Sequence, residues 1–413
     1  MIQKIKGTMD ILPDETPLFR YIEGIMREEA EKCGFGEIRL PTFELTELFV
    51  RGVGNTTDVV QKEMYTFMDG DDSISLRPEG TAGTVRALIE NGKYGDAMPQ
   101  KYYYIMSCFR HEKPQAGRTR EFFQFGVEMF GAETASADAT VISLAYAVLR
   151  RLGLDNYVTL HINSIGCAEC RPTYKKALTD YFGDKLPSLC ETCRERFARN
   201  PLRLLDCKVP TCATIAEEAP KTVGSLCEAC AKRFDALRRS LDAMGIPYVV
   251  DSSIVRGLDY YTGTVFEFVA EGIGAQSTVC GGGRYDGLVA SLGGPDLSGI
   301  GFGMGLTRLI LALKQHGIDP VAPVKPRLYV ASLGEAAATE ALSIVERLRR
   351  EGIYAECDLV GRSLKAQMKY ADKIGAAYTL IIGDNEIETG KANLRNMATS
   401  EQTEVDIHAF SLE

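Results

Sequence analysis

The sequence predicts an α+β protein that is built on an antiparallel sheet, carries a cysteine-rich insertion and ends in a smaller α/β domain. Two β-like runs, 102–110 and 121–130, flank a polar loop, which is typical of a long antiparallel hairpin. The composition changes over residues 166–239, where cysteines and charged residues concentrate. After a proline-containing linker at 321–326, strand-like and helix-like segments alternate.

Apolar periodicity predicts the elements that surround the hairpin. Thr16 and Pro17 suit the first turn of a helix whose apolar stripe covers residues 18–33. A second helix is expected over 81–91, and the segment 299–313 is glycine-rich at its start and becomes a helix. Strand-like and turn-rich segments are expected up to residue 70 and over 76–80, and strands at 248–250, 263–269 and 277–280.

The pattern beyond the linker is that of an α/β domain. Strands are expected at 328–332, 354–357 and 378–382, and helices at 336–350 and 363–374. This alternation predicts a small, mostly parallel sheet with helices on its faces. The expected domains are a main domain at 1–165 and 240–322, an inserted domain at 166–239, and a C-terminal domain at 326–413.

Composition and charge exclude several classes of protein. The chain of 413 residues has 45% hydrophobic and 25% charged residues, as is usual for globular proteins. No apolar stretch approaches the roughly 20 residues that a membrane helix needs, and the N-terminus has no apolar signal core, so we expect a cytoplasmic protein without a membrane partner. The net charge of −9 disfavours nucleic-acid binding by the whole molecule, although local patches can be basic on an acidic protein.

Eight of the twelve cysteines form four pairs in the insertion. In a large chain without an export signal, thiols or metal ligands are favoured over disulfides. Such pairs suit tetrahedral thiolate zinc, and eight ligands can complete two structural sites of four. Buried reduced thiols, or a site that has lost its metal, are the alternatives. The candidate zinc ligands are Cys167, Cys170, Cys190, Cys193, Cys207, Cys212, Cys227 and Cys230.

Polar side chains occur in and beside the hairpin where apolar ones are expected. Gln124 and Glu128 alternate with apolar residues of the second strand, so they share one face of the sheet. Buried polar groups need partners, so this face is predicted to be the floor of a binding site. Glu79 and Thr81 can hold an ammonium group, or they can simply cap the following helix. Arg110 has the planar fork that suits phosphate oxygens.

Three segments resemble the signature motifs of class II aminoacyl-tRNA synthetases. Residues 37–41 resemble the first motif, whose proline lies at the dimer interface of the family, and the hairpin segment 109–122 resembles the second. The third is similar to 299–308, a glycine-rich strand that leads into a helix near an arginine. The runs 256–261 and 281–288 resemble the two signatures peculiar to histidyl-tRNA synthetases. The resemblance covers nearly the whole chain, although the cysteine cluster is not general to the family.

The resemblance implies the class II synthetase fold and the activity of a histidine–tRNA ligase. Such an enzyme activates histidine with ATP to histidyl-adenylate and transfers it to the 3′ end of its tRNA, releasing AMP and pyrophosphate. The resemblance also implies a homodimer, Mg²⁺ bound with ATP, and an anticodon-binding role for residues 326–413. Activation of this kind depends mainly on positioning and on neutralising charge around the α-phosphate.

The resemblance further implies a role for each candidate residue. Arg110 and Arg256 are the catalytic candidates, on opposite sides of the α-phosphate, and Glu128 and Tyr261 read the imidazole nitrogens. The histidine-binding candidates are Glu79, Gly80, Thr81, Arg110, Gln124, Glu128, Arg256, Tyr260, Tyr261 and Tyr285. The ATP-binding candidates are Arg110, Glu112, Phe122 and Arg308. Candidates for contacts with the tRNA acceptor end are Gln115 and Arg118.

Two other classes of protein share some of these features. The synthetase-like regulatory subunit of ATP phosphoribosyltransferase has the catalytic fold, but it typically lacks the C-terminal domain and departs from the signature at Arg256. A metal-dependent RNA-binding protein accounts for the cysteines but not for the two histidine signatures. In the family the insertion reaches over the tRNA acceptor arm. Lys175, Lys176 and the run 194–199 are therefore candidate phosphate contacts, although a solvated charged face fits them equally well.

Overall fold

The structure consists of two compact units, a first unit at Met1–Val321 and a second unit at Ala322–Glu413. It is a computed structural model. No helix among the described residues is long and apolar enough to cross a membrane. The structure describes residues 1–55, 57–114, 117–199, 201–205, 207, 209–254, 258–273 and 277–412. For Arg199 and Arg203 it describes the backbone but not the side chain.

The first unit contains the long hairpin that the sequence predicts. Its strands are antiparallel and in continuous register, from Gln100 opposite Phe130 to Phe109 opposite Glu121. The helices predicted over 18–33 and 81–91 are also confirmed. The elements before the insertion are α1 (Thr16–Lys32), β1 (Gly36–Glu37), β2 (Phe43–Leu45), α2 (Thr46–Val53), β3 (Thr66–Asp69), β4 (Asp72–Leu76), α3 (Thr81–Glu90), β5 (Gln100–Phe109), β6 (Glu121–Phe130), α4 (Ala135–Arg151) and β7 (Val158–Ser164).

The insertion is helical, and the chain then returns to strands. The insertion contains α5 (Cys170–Gly183), α6 (Glu191–Arg199), α7 (Pro210–Glu217) and α8 (Glu228–Ala243). The elements that follow are β8 (Val249–Val250), β9 (Thr262–Ala270), β10 (Thr278–Arg284), α9 (Leu288–Ser291), β11 (Gly299–Gly305) and α10 (Leu306–Gln315). Single π or 3-10 turns lie at Val59–Glu63, Lys93–Gly95, Leu186–Ser188, Pro201–Leu204 and Thr222–Ser225.

A large sheet, with eight strands within the described ranges, is the frame of the first unit. Its order is β1-β5-β6-β11-β10-β9-β7-β8, and every pairing is antiparallel except those of the short edge strands β1 and β8. Helices α1, α4, α8 and α10 cover one face, where Phe125 and Val127 of β6 join the main core. The alternate residues of β6, Gln124 and Glu128, therefore face the other side, as their spacing predicts.

Some elements of the first unit differ from the sequence-based expectation. Helix α4 and strand β7 were not predicted, and β10 continues through a run of three glycines, where the sequence suggested an end at Cys280. Glycine runs usually indicate loops. Here the strand needs them, because a Cβ on Gly282 would collide with the carbonyl of Gly301 and with the side chain of Phe302.

A small antiparallel sheet with the order β2-β4-β3 lies in the N-terminal part of the first unit. Its register places Leu45 and Phe67 on either side of Ile74, on the same face as Phe43. The exposed fractions of Phe43, Leu45 and Phe67 are 55%, 53% and 46%. This sheet therefore has an apolar face that is largely open to solvent.

The second unit has the predicted α/β architecture. Its sheet has the order β13-β12-β14-β15-β16, with β13, β12 and β14 parallel and β15 and β16 antiparallel to their neighbours. Helix α13 and the terminal hairpin were not predicted. The elements are β12 (Leu328–Ser332), α11 (Glu335–Arg350), β13 (Ala355–Cys357), α12 (Leu364–Lys373), β14 (Tyr378–Ile382), α13 (Asp384–Thr389), β15 (Lys391–Asn396) and β16 (Gln402–Asp406).

Candidate active site

A cleft of about 930 Å³ lies over the face of the large sheet that helices α1 and α4 leave open. Most of the predicted site residues line it, although they come from distant parts of the chain. Arg256 and Gln115 lie outside the described residues. The predicted residues in the lining are Glu79, Thr81, Arg110, Glu112, Arg118, Phe122, Gln124, Tyr260, Tyr261 and Arg308.

Three predicted residues, Gly80, Glu128 and Tyr285, do not line the cleft. Glu128 is a buried carboxyl group behind the lining residue Thr81, and it has three hydroxyl partners. Thr81 Oγ1 and Tyr104 OH donate to Glu128 Oε1 over 2.7 and 3.1 Å. Tyr285 OH donates to the other oxygen, Oε2, over 2.5 Å. Glu128 is fully buried, and burial raises its pKa to about 8 despite the hydrogen bonds from Tyr285 and Thr81. A pKa near 8 favours the protonated form of this group at neutral pH.

The start of α3 forms one wall of the cleft. Glu79 accepts hydrogen bonds from the backbone amides of Thr81 at 2.6 Å and Ala82 at 2.9 Å, so it caps the helix. The capping interpretation therefore holds for Glu79 but not for Thr81, whose hydroxyl donates to Glu128, and the Glu79 carboxylate also lines the cleft. Burial raises the pKa of Glu79, and the two amide hydrogen bonds only partly oppose that rise. An ammonium group in the cleft would favour the charged form of this carboxylate.

Glycines of β11 make room for the polar side chains of the floor. Gly301 is paired with Glu128, and a Cβ on it would collide with the Glu128 carboxyl group and the carbonyl of Val127. A Cβ on Gly303 would meet the amide of Gln124, and one on Gly299 would meet the ring of Tyr285. These glycines lie at alternate positions and so face the same side. The glycine-rich motif therefore shapes the floor beneath three predicted histidine-binding residues.

We expect Gly303→Ala to impair histidine binding while the protein stays folded. The new methyl group meets the far end of the Gln124 side chain, so Gln124 must move. The resemblance implies that Gln124 binds histidine, so the KM for histidine in pyrophosphate exchange is expected to rise about tenfold. The matched variant is Gly305→Ala, where the nearest atoms, of Arg308, lie 4.0 Å from the new carbon. Equal KM values in the two variants would contradict this account of the floor.

Three aromatic rings enclose the buried acid. The rings of Tyr260 and Tyr261 lie 4.6 Å apart, and those of Tyr260 and Tyr285 meet edge to face at 5.7 Å. Burial raises the pKa values of Tyr260 and Tyr285 well above the usual range, so both hydroxyls stay protonated and can donate. Tyr260 and Tyr261 are thus both packed rings and walls of the cleft, whereas Tyr285 does not line it.

The upper part of the cleft carries cationic and aromatic groups. Arg110 Nε donates to the carbonyl of Pro78 over 2.9 Å, and its guanidinium lies 5.3 Å from the centre of the Phe122 ring. Glu112 is ion-paired with Arg118 at 2.7 Å. Pro78 therefore holds the Nε atom of Arg110, and the ring of Phe122 holds its guanidinium plane. These two contacts fix the direction of the two terminal nitrogens.

Arg308 closes the opposite side of this upper part. Its Nη1 donates to the carbonyl of Thr278 over 2.6 Å and its Nε to that of Gly117 over 3.2 Å. Burial lowers the pKa of Arg308, and the nearby charge of Arg118 acts in the same direction. An anionic ligand between these arginines would relieve their mutual repulsion.

Sequence reasoning missed two residues that support the floor. Tyr104 donates to Glu128, and Cys108 donates through its thiol to Gln124 Oε1 over 3.3 Å. Both lie on β5, where alternate residues face the cleft. Tyr104 is paired with Gly126, and the absence of a side chain there leaves space for the tyrosine ring. The register of the hairpin places Tyr104 on the same face as Glu128. Assigning that register from the sequence would have identified Tyr104 as a site residue.

The insertion holds two clusters of four cysteines. Cys167, Cys170, Cys227 and Cys230 form the first cluster, and Cys190, Cys193, Cys207 and Cys212 form the second; within each, the sulfur atoms lie within 4.8 Å of one another. The twelve cysteines are free thiols. In the first cluster, Cys167 Sγ lies 3.7 Å from Cys170 Sγ and 3.8 Å from Cys227 Sγ. Zinc bonded to sulfur at about 2.3 Å gives tetrahedral edges close to these values.

The charged groups of the insertion are compatible with phosphate binding and with a solvated charged face. Lys175 and Lys176 are exposed, and Lys176 is ion-paired with Asp180 at 2.7 Å. Arg196 lies 3.4 Å from Asp58, in the body of the first unit. These contacts fit a solvated charged face, and the exposed lysines remain accessible to phosphate groups.

Two family models match the chain. A family model described as "Histidyl-tRNA synthetase" matches residues 7–309, and one described as "Anticodon binding domain" matches residues 327–411. The second match covers the part of the chain that the regulatory-subunit alternative typically lacks.

Individual relatives match over the full length. The chain is 52% identical to the histidine–tRNA ligase of Caldanaerobacter subterraneus subsp. tengcongensis, with 97% of this chain and 96% of the relative covered. It is 53% identical to that of Acetivibrio thermocellus, with 98% of each covered. The crystal structure of apo S. aureus histidyl-tRNA synthetase is similar with a TM-score of 0.83 and 38% identity, over 99% of this chain and 98% of that one.

Proposed function

Because the chain belongs to the histidyl-tRNA synthetase family and is an ATP-dependent histidine–tRNA ligase, we propose that the cleft over the large sheet binds histidine and ATP. The observation that carries this assignment is the buried Glu128 with its three hydroxyl partners. Such a carboxyl group can bind one imidazole nitrogen, while Tyr261 binds the other. A pocket of this kind rejects apolar isosteres, because its own polar groups would lose their partners.

The α-amino group of histidine binds at the start of α3. Glu79, Thr81 and Gln124 line this part of the cleft, with Gly80 between the first two. A buried carboxylate stabilises an ammonium group more strongly than an exposed one does. Binding at both ends of the amino acid fixes its carboxylate towards the upper part of the cleft.

The upper part of the cleft binds ATP. Arg110 holds the α-phosphate, Glu112 and Phe122 contact adenine, and Arg308 stacks on its other face. The Mg²⁺ that the family uses with ATP neutralises further charge on the phosphates. A carboxylate oxygen of histidine then attacks the α-phosphorus, and pyrophosphate leaves. Arg256, which lies outside the described residues, neutralises the developing charge from the side opposite Arg110.

The second step transfers histidine from the adenylate to the 3′ end of the tRNA, which suits an enzyme of the cytoplasm. The second unit binds the anticodon, and Gln115 and Arg118 contact the acceptor end. Aminoacylation tests this function: the purified protein is expected to charge a histidine tRNA transcript and to leave an alanine tRNA transcript uncharged. A folded protein that charges neither transcript would contradict it.

Each cysteine cluster binds one structural Zn²⁺. The donor set fits, since four thiols at tetrahedral separations are typical of closed zinc sites without an open coordination position. Bound zinc would favour the thiolate form of each cysteine and would link α5 to α8 and α6 to α7. We expect about two equivalents of zinc per chain in protein purified without chelators, measured by elemental analysis. Less than half an equivalent would refute the proposal.

The exposed apolar face of the small sheet supports a homodimer. Phe43, Leu45 and Phe67 are half exposed there, close in sequence to the segment 37–41 that resembles the dimer motif of the family. A second copy of the chain would cover them. Light scattering should therefore give about twice the chain mass of 45.3 kDa, and Phe67→Asp should lower that value.

A further inference from the structure

An arginine of the insertion contacts the backbone of the tyrosine pair in the cleft. Arg171 lies in the first turn of α5, directly after Cys170, and its Nη2 donates to the carbonyl oxygen of Tyr261. Tyr261 is 6% exposed and lines the cleft together with Tyr260. One side chain of the insertion is therefore bonded to the backbone just before β9 begins.

The surroundings of Arg171 indicate more than a surface contact. Its side chain is partly buried, and the carboxylate of Asp259 attracts its guanidinium. Its Nε is buried and has no hydrogen-bond partner within the described ranges. Asp259 and Tyr261 both belong to the segment 258–261, so the arginine is hydrogen-bonded to this segment at Tyr261 and attracted by its charge at Asp259.

The first cysteine cluster determines where Arg171 lies. Cys170 Sγ accepts a hydrogen bond from the backbone amide of Cys227 over 3.0 Å, and the amide of Arg171 donates to the carbonyl of Cys167 over 3.1 Å. Just before the cluster, Gly166 accepts from the amide of Gly263 over 2.9 Å. The cluster thus joins both ends of the insertion at the point where the chain leaves β7, beside β9.

We propose that Arg171 is a positioning residue for histidine binding, and that metal in the first cluster holds it against the backbone of Tyr261. The proposal rests on the functions assigned above to the cleft and the clusters. In this proposal the two cysteine clusters have different roles. The second cluster is packed in the separate core of the insertion, with Phe182 and Leu204, so its metal stabilises the insertion without bearing on the tyrosines.

Arg171→Ala tests the arginine itself. Without the guanidinium, the tyrosine pair is less well positioned, so the KM for histidine in pyrophosphate exchange is expected to rise about tenfold. The KM for ATP and kcat should change by less than about threefold, because the phosphate-binding groups remain in place. Arg171→Lys keeps a cation that can reach the carbonyl and should recover part of the loss. Arg238→Ala is the control, since Arg238 joins α8 to Tyr248 at 3.4 Å, outside the cleft.

Cysteine variants test the role of the cluster. Cys170→Ser and Cys193→Ser are each expected to lose about one of two zinc ions, measured by elemental analysis. Only Cys170→Ser should weaken histidine binding, measured by calorimetry without ATP. If Arg171→Ala leaves histidine binding and KM unchanged, the positioning role is overturned. If both cysteine variants weaken binding equally, the link to the first cluster is overturned. The wild-type protein separates these outcomes from a failure of the proposed function, because it must bind histidine and zinc in every arm.

Discussion

Glu128→Gln is expected to lower kcat/KM for histidine about 100-fold, which corresponds to roughly 3 kcal/mol. Glutamine keeps the size of the side chain, but it has no carboxyl proton to donate or release. It also offers only one acceptor oxygen to the hydroxyls of Thr81, Tyr104 and Tyr285, which now bind two. The variant should therefore fold and still lose recognition of the imidazole. Pyrophosphate exchange at varied histidine concentration measures the effect.

The control for this variant is Glu121→Gln, at the other end of the same strand, which should stay within about twofold of the wild type. A Glu128→Gln enzyme within threefold of wild-type kcat/KM would show that the buried acid does not read the substrate.

The pKa of Glu128 gives the same variant a second, independent readout. The folded value of about 8 exceeds the ordinary 4.5, so the native state favours the protonated acid. Its contribution to the free energy of unfolding is complete below about pH 4.5 and is lost as the pH rises to about 8. Glutamine resembles the neutral acid and lacks this dependence. The stability of the wild type relative to the variant, measured by denaturant unfolding, should therefore fall between pH 5 and 8.

Arg110→Ala is expected to lower kcat for adenylate formation about 1000-fold while histidine affinity changes less than tenfold. Arg110 lies over Phe122 and is bonded to Pro78, so its remaining N–H groups are positioned before any phosphate arrives. Lysine is a point charge without the planar fork, so Arg110→Lys should recover little. Lys113→Ala, on the exposed loop nearby, serves as the control. Calorimetry of histidine binding and pyrophosphate exchange separate the two quantities.

Arg256→Ala should show the same division of effects, with activation strongly reduced and histidine binding closer to intact. Equal losses of binding and exchange in either variant would mean that the arginine binds the amino acid rather than the transferred phosphate.

Alternation within a strand and the order of the motifs were enough to predict the face that bears Gln124 and Glu128 and the hairpin that holds Arg110. The supporting side chains could not be predicted in this way. Tyr104 reaches Glu128 only because Gly126 is its partner across the hairpin, and that pairing depends on the register of two strands. The same limit applies to the unpredicted hairpin of β15 and β16, whose strands are identified by their pairing.

The cysteines also show what the sequence alone could not predict. Spacing predicted four pairs and two sites, but four pairs can be combined in several ways. In the structure the first pair joins the last and the two middle pairs join each other. Helices α5 and α8 bring the ends of the insertion together, and that long-range contact was not visible in local spacing. Arg171 became a candidate only when this arrangement placed it against Tyr261.

The central claim is that the cleft selects histidine by its imidazole ring and activates it with ATP. Amino-acid-dependent exchange of labelled pyrophosphate into ATP, with the purified wild-type protein and no tRNA, tests it most directly. Histidine alone should support exchange, and phenylalanine, glutamine and other amino acids should support at least 1000-fold less at equal concentration, as expected for a pocket with buried polar groups. Exchange that histidine does not stimulate, or that another amino acid supports equally well, would contradict the account.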